Sequence, residues 1–240
     1  MATTLMIVGD SISEGSAGDY TWRFRLWEHL KASGVADVAF VGPRRGLDDL
    51  SRPQPNADSG DYADSGFDEN HLALWGEPLV AVIGQVGHRV HEFDPDIVLT
   101  LLGINDLIWQ DRTALQMEQD TRTYVAEVRR HKSGAGLVFG RLLPNFRTAE
   151  DPSFSGAVAE FNDRLESLAA ELSQASSPVA VAATDDGYEP ALHTWDGIHP
   201  NSNGEIRIAA AFADVLAQVF DLGSLYPRPL PDVVDVVKTP

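Results

Sequence analysis

The chain has no cysteine in its 240 residues, which excludes disulfides, thiol catalysis and thiolate metal sites. That absence suits a cytosolic and an exported protein equally well. There is no run of ~18 apolar residues, so no membrane span is expected. The opening segment, Met1-Ala2-Thr3-Thr4-Leu5, has no basic region and no long apolar stretch. No signal peptide is therefore expected, and a cytoplasmic location is. Basic residues are scarce: 18 stand against 36 acidic ones, for a net charge of −18. A field of that sign repels nucleic acid and anionic membrane surfaces, so neither is an expected partner. It favours solubility, and neutral or cationic small molecules over anionic ones.

What is present reads as one domain with a tail. The length fits a single core, and a chain of this size buries roughly 70% of its unfolded surface. Apolar runs bounded by turn residues alternate with segments of helical period. The expected strands are Leu5 to Val8, Val38 to Val41, Ile97 to Leu102, Leu137 to Phe139 and Val179 to Ala182. Helices are expected over Thr21 to Ser33, Leu79 to Val90, roughly 112–132, Val158 to Leu168 and Ile206 to Phe220. Such alternation implies a three-layer α/β/α sandwich with a parallel sheet covered on both faces. Five strands suggest the flavodoxin-like order 2-1-3-4-5 with right-handed crossovers, and ligands bind such sheets at the carboxyl ends of their strands.

Two segments break the alternation. Residues 43–76 lack periodicity and are rich in Asp and Gly; a loop of that length in a compact domain is usually functional or disordered. It is expected to lie on the substrate side and, being acidic, to disfavour carboxylate-bearing substrates. Residues 222–240 hold four prolines and read as an extended tail outside a domain of residues 1–221.

The chemistry collects where strands end. The first strand runs into Gly9-Asp10-Ser11, the third into Gly103-Ile104-Asn105-Asp106, and the loop after the fifth carries Asp196-Gly197-Ile198-His199. In a 2-1-3-4-5 sheet these ends converge on one edge. A serine hydroxyl needs a base within ~3 Å to become a nucleophile. Histidine suits that task, with an unperturbed pKa near ~6.5. An aspartate three residues before the histidine can accept its Nδ1–H within one turn and fix the tautomer. Attack on a carbonyl creates an oxyanion that needs preorganised donors. The Ser11 N–H and the Asn105 amide are candidates, and a glycine N–H between the second strand and the next helix, at Gly76, is a third. Asp10 and Asp106 suit bonding of loop backbone.

Together, Gly9-Asp10-Ser11, Gly76, Gly103-Ile104-Asn105-Asp106 and Asp196-Gly197-Ile198-His199 resemble the four sequence blocks of the SGNH (GDSL-type) esterases and lipases. The resemblance spans residues ~5–220. Ala73 stands near a position where many relatives carry a second glycine. The resemblance implies a carboxylic ester hydrolase working through an acyl-enzyme. Its nucleophile would be Ser11, its base His199 and its orienting acid Asp196. The oxyanion hole would be Ser11, Gly76 and Asn105, and no cofactor or metal is implied. The expected partner is a small-molecule ester; the oligomeric state stays open. Trp75, Trp109 and Trp195 lie near the blocks and could wall an acyl pocket or pack in the core. His71, His88, His91, His131 and His193 read as surface or loop residues, though His193, close to Asp196 in sequence, could instead border the pocket.

Other readings compete. The same site could transfer an acyl group to an alcohol. A flavodoxin-like binding module for phosphate or nucleotide would need basic or Gly-rich donors, yet the first loop carries Asp10, Glu14 and Asp19. A Mg²⁺ phosphohydrolase could use Asp10, Asp106 and Asp196 as oxygen ligands. No G-x-x-x-x-G-K-[ST] segment and no G-x-S-x-G elbow occurs, which counts against P-loop and α/β-hydrolase assignments.

Overall fold

A computed structural model describes residues 2–51 and 60–233. Strand β1 (Thr3–Gly9) leads into a single helical turn, α1 (Ser11–Glu14), and then α2 (Thr21–Ala32). Strand β2 (Val38–Val41), the short β3 (Leu72–Ala73), helix α3 (Leu79–Phe93) and strand β4 (Ile97–Leu101) follow. Helices α4 (Ile104–Trp109) and α5 (Ala114–His131) precede β5 (Gly136–Gly140). Helices α6 (Phe146–Glu150) and α7 (Pro152–Leu172), strand β6 (Val179–Ala182), and helices α8 (Pro190–His193) and α9 (Ser202–Phe220) complete the order.

The sheet is parallel, in the order β2-β1-β4-β5-β6, with β3 also on β1. Leu5, Met6, Ile7 and Val8 of β1 are all fully buried, as a central strand covered on both faces requires. Helices α2 and α9 pack together on one face; α3, α5 and α7 form the other layer. Trp22 of α2 stacks on Phe212 of α9 at 4.7 Å, joining the two helices of the first layer. The expected face of α7 is buried, with Val158, Phe161, Leu165 and Leu168 all inside.

The expected order of five strands holds, but among the described residues the sheet has a sixth. Within residues 43–76, β3 continues the edge that β2 leaves: β2 pairs with Thr3 to Met6 of β1, and β3 with Val8 and Gly9. Two residues are too few to show an alternation, which is why the pattern hides them. The segment is also tied down elsewhere, through bridges Arg44–His71, Leu47–Gly60 and Ser16–Asp48. Its Arg52, Pro53, Pro55 and Asp58 lie outside the described residues, as do Val234 to Pro240 of the tail. The last helix begins at Ser202 rather than Ile206, because Asn201 caps it through the N–H groups of Asn203 and Gly204.

The tail packs against the domain as far as Val233. The Ser224 carbonyl lies 2.7 Å from His29 Nε2, and Tyr226 stacks on His29 at 4.6 Å. Val233 donates to Asn203 Oδ1. Among the described residues, no helix is long and apolar enough to cross a membrane.

Candidate active site

The site forms where β1, β4 and β6 release the chain. At the end of β1 the turn is tight: a Cβ on Gly9 would lie 2.2 Å from Ser13 Oγ, so only glycine fits. Asp10 caps the helical turn that follows by accepting the Ile12 N–H at 3.0 Å. Ser11 is thereby the first residue of α1, with its own N–H at the turn's open end. It is only 7% exposed.

The chain brings His199 to Ser11 from 188 residues away: Nε2 lies 3.0 Å from Oγ. On the other side of the ring, Nδ1 lies 2.6 Å from Asp196 Oδ2. A carboxylate only accepts, so Nδ1 carries the proton and Nε2 presents its lone pair to the serine hydroxyl. The remaining Asp196 oxygen accepts the N–H groups of Ile198 at 2.9 Å and His199 at 2.8 Å. Burial works to raise the Asp196 pKa, but the hydrogen bond and charge of His199 outweigh it and hold the carboxyl below its ordinary range. The turn is closed by Trp195 N–H donating to the His199 carbonyl and Gly197 N–H donating to Thr194 Oγ1. Gly197 has φ +92°, and a Cβ there would press on Phe146 at 3.1 Å; it is glycine for both reasons. Phe146, capped onto α6 by Asn145, donates its N–H to the Gly197 carbonyl and flanks the turn.

Asn105 is buried in the first turn of α4 and meets the Ser11 turn through Asp10. Its Nδ2 is 3.3 Å from Asp10 Oδ2 and 3.3 Å from the Glu77 carbonyl. Gly76 therefore sits between two residues that touch the site: Glu77 contacts Asn105, and the Trp75 ring stacks on His199 at 4.4 Å and 26°. Gly76 itself is exposed, with φ +74°. Trp195 also lies near-parallel to the imidazole, at 5.4 Å. Trp109 does not pack in the core. It is 71% exposed, one helical turn beyond Asn105 on the same side of α4.

Asp10 and Asp106 bond backbone. Asp106 reaches from α4 to cap α3, accepting the Leu79 N–H at 2.6 Å and the Val80 N–H at 3.1 Å. Burial raises its pKa, and pushes that of Asp10 up to about 7. Among the described residues no group of three or more acidic or histidine side chains could hold a metal ion.

Two of the histidines expected at the surface or in loops are buried. His71 is fully buried; Nε2 donates to the Gly46 carbonyl and Nδ1 accepts the Ala73 N–H, so the ring braces the start of residues 43–76 against β3. Burial and the nearby Arg23 hold its pKa well below the ordinary value, keeping it neutral. His193, 4% exposed, has its Nε2 2.7 Å from Arg207 Nε, beside the Asp196–His199 turn. Their roles arise from contacts across the fold, which no local spacing records.

Residues 7–205 match the GDSL-like Lipase/Acylhydrolase family. A multidomain esterase of Ruminococcus flavefaciens is 26% identical over 214 residues, covering 83% of this chain and 26% of that protein. The chain thus spans about a quarter of that relative's length. A carbohydrate esterase family 3 structure from Talaromyces cellulolyticus superposes with a TM-score of 0.76 at 25% identity, covering 91% of this chain and 98% of that one. A mutant acetyl esterase with an acetate ion superposes equally well, at 24% identity and the same coverage. With most of its length inside the family match and the same fold throughout, this chain belongs to the GDSL-like lipase/acylhydrolase family of ester-cleaving hydrolases.

Proposed function

We propose that the chain is a serine esterase that removes a short acyl group, acetyl foremost, from a carbohydrate hydroxyl. The observation that carries the reading is the continuous relay from Asp196 through His199 to Ser11, at 2.6 and 3.0 Å. His199 Nε2 takes the hydroxyl proton as Ser11 Oγ attacks the ester carbonyl, and Asp196 balances the imidazolium. The Ser11 N–H, the Gly76 N–H and Asn105 Nδ2 receive the oxyanion, a type of stabilisation that matters because the donors need no reorganisation as charge develops. Collapse breaks the C–O bond, and the Nε2 proton goes to the leaving sugar oxygen. Water then attacks the acyl-Ser11 ester with His199 again as base, and releases the carboxylate.

The acyl and alcohol assignments rest on the named relatives and on surface chemistry. Trp109 and Phe146 are large apolar groups left open beside the site, 71% and 46% exposed. Aromatic faces of that kind suit the apolar face of a sugar ring. The acidic charge of the chain favours neutral esters. Asp196 and His199 keep side-chain exposures of 24% and 14%, so water can reach the acyl-enzyme and hydrolyse it.

The test is direct. The chain should release acetate from acetylated xylo-oligosaccharides and prefer p-nitrophenyl acetate to longer-chain p-nitrophenyl esters. An alkyl phosphonate should label Ser11 alone, and Ser11→Ala should abolish both labelling and turnover. Label on another serine, or turnover surviving in Ser11→Ala, refutes the mechanism; a preference for long acyl chains refutes the substrate.

A further inference from the structure

The strongest feature that the proposed mechanism leaves unused is the side chain of Glu14. It is fully buried, and it ends the same four-residue turn that Ser11 begins. Oε1 accepts from Arg44 Nη2 at 2.5 Å. Oε2 accepts the backbone N–H of Trp75, also at 2.5 Å. The backbone carbonyl of Glu14 is itself held by Arg23 Nη2 at 3.0 Å. A single residue on the nucleophile's turn thus reaches both the start of residues 43–76 and the peptide just before Gly76.

We infer that Glu14 is a positioning residue for the catalytic histidine, acting through Trp75, whose ring it sets against His199. The two hydrogen bonds of His199 fix where its nitrogens point within the ring plane. They leave the tilt of that plane free. A near-parallel indole at 4.4 Å limits the tilt, and its face also favours the imidazolium that forms during attack. Glu14 fixes the backbone from which that indole projects.

The cost of burying a carboxylate argues in the same direction. Burial pushes the Glu14 carboxyl up to about 7, opposed by Arg44 and the Trp75 N–H and reinforced by the buried Asp48. An apolar side chain could fill the space without that cost, and buried ion pairs rarely add net stability. What the carboxylate supplies is direction: two acceptors, one aimed at a cation and one at a backbone N–H.

This inference rests on the serine-hydrolase reading, and the experiment separates the two. The measurements are kcat and KM for p-nitrophenyl acetate and the second-order rate of Ser11 labelling by an alkyl phosphonate. They are made on the parent chain, Glu14→Gln, Trp75→Ala and the double variant, each checked by thermal melt. Glutamine has one acceptor oxygen where the carboxylate has two, so it cannot serve both the Arg44 guanidinium and the Trp75 N–H, and its NH₂ is left facing a donor. Glu14→Gln should lower kcat and the labelling rate together by about 10- to 100-fold, the scale on which small misplacements of catalytic groups act, with little change in KM. Trp75→Ala should lower both similarly. In the Trp75→Ala background the further exchange at Glu14 should cost much less, because its route to His199 is already gone. Full and additive losses, or a Glu14→Gln that melts earlier but keeps kcat and labelling rate, overturn the inference. Should Glu14→Gln not fold, unchanged labelling in Trp75→Ala overturns it alone. Turnover in Ser11→Ala would instead strike the serine-hydrolase reading itself.

Discussion

Exchanging Asp196 for asparagine changes almost no atoms and reverses one hydrogen bond. In the parent chain the carboxylate accepts three: from His199 Nδ1 at 2.6 Å and from the N–H groups of Ile198 and His199. An amide has one oxygen. If it keeps the two backbone bonds, its NH₂ faces Nδ1, and two donors cannot face each other. The imidazole answers by moving its proton to Nε2, which then points at Ser11 Oγ and cannot take the hydroxyl proton. A hydrogen bond to a charged group contributes ~1.5–3 kcal/mol, or about one to two powers of ten in rate. The imidazolium formed during attack also loses its counter-charge, worth up to ~4 kcal/mol at an effective dielectric of ~20 and less where water screens it. Asp196 is partly open, with 24% of its side chain exposed, so screening trims that second contribution. The expected fall in kcat is about 10² to 10⁴, the upper end being the effect of the same exchange at a buried triad aspartate. KM should hold, and the residual rate should climb toward alkaline pH as hydroxide replaces the lost base. Steady-state hydrolysis of p-nitrophenyl acetate across the neutral to alkaline range, with melts in parallel, measures all three. A kcat within about threefold of the parent at every pH, a difference below ~1 kcal/mol, would refute the pairing of Asp196 with His199.

Asn105→Ala should lower kcat by about 10²–10³, the usual loss of one oxyanion donor, while the melting temperature moves little; a loss confined to stability would make Asn105 structural. Asp10→Asn should alter the pH dependence of stability. The Asp10 pKa is raised to about 7 by burial, so in the folded state its contribution is fully present below the ordinary carboxylate range and is lost as pH rises toward 7. Melts of the asparagine variant should therefore fall less than those of the parent between mildly acidic and neutral pH; parallel curves would show that Asp10 does not titrate in that window.

Much of this protein could be read from local pattern. The alternation of apolar runs and helical periods predicts the order of the five main strands, because burial on both faces of a parallel strand forces continuous runs such as Leu5 to Val8. The positions of Ser11, Asn105, Asp196 and His199 at strand ends follow from that order, since a parallel sheet gathers the carboxyl ends of its strands on one edge. The spacing Asp196-x-x-His199 puts the carboxylate within reach of Nδ1 inside one turn, which is why the pair could be read from the sequence. The remainder depended on pairings between distant segments that leave no periodic trace. The two residues of β3 are a strand only because β1 outruns β2. His71 is a buried brace only because Gly46 and Ala73 meet it. Glu14 reads in the sequence as one more acidic residue among 36. Only the fold brings Arg44 and the Trp75 N–H to it across 30 and 61 residues, and turns a surface-type side chain into a buried support for the site. Local sequence sets which groups a strand end offers; the desolvation and close contact that give Glu14 its direction exist only once the chain has closed around it.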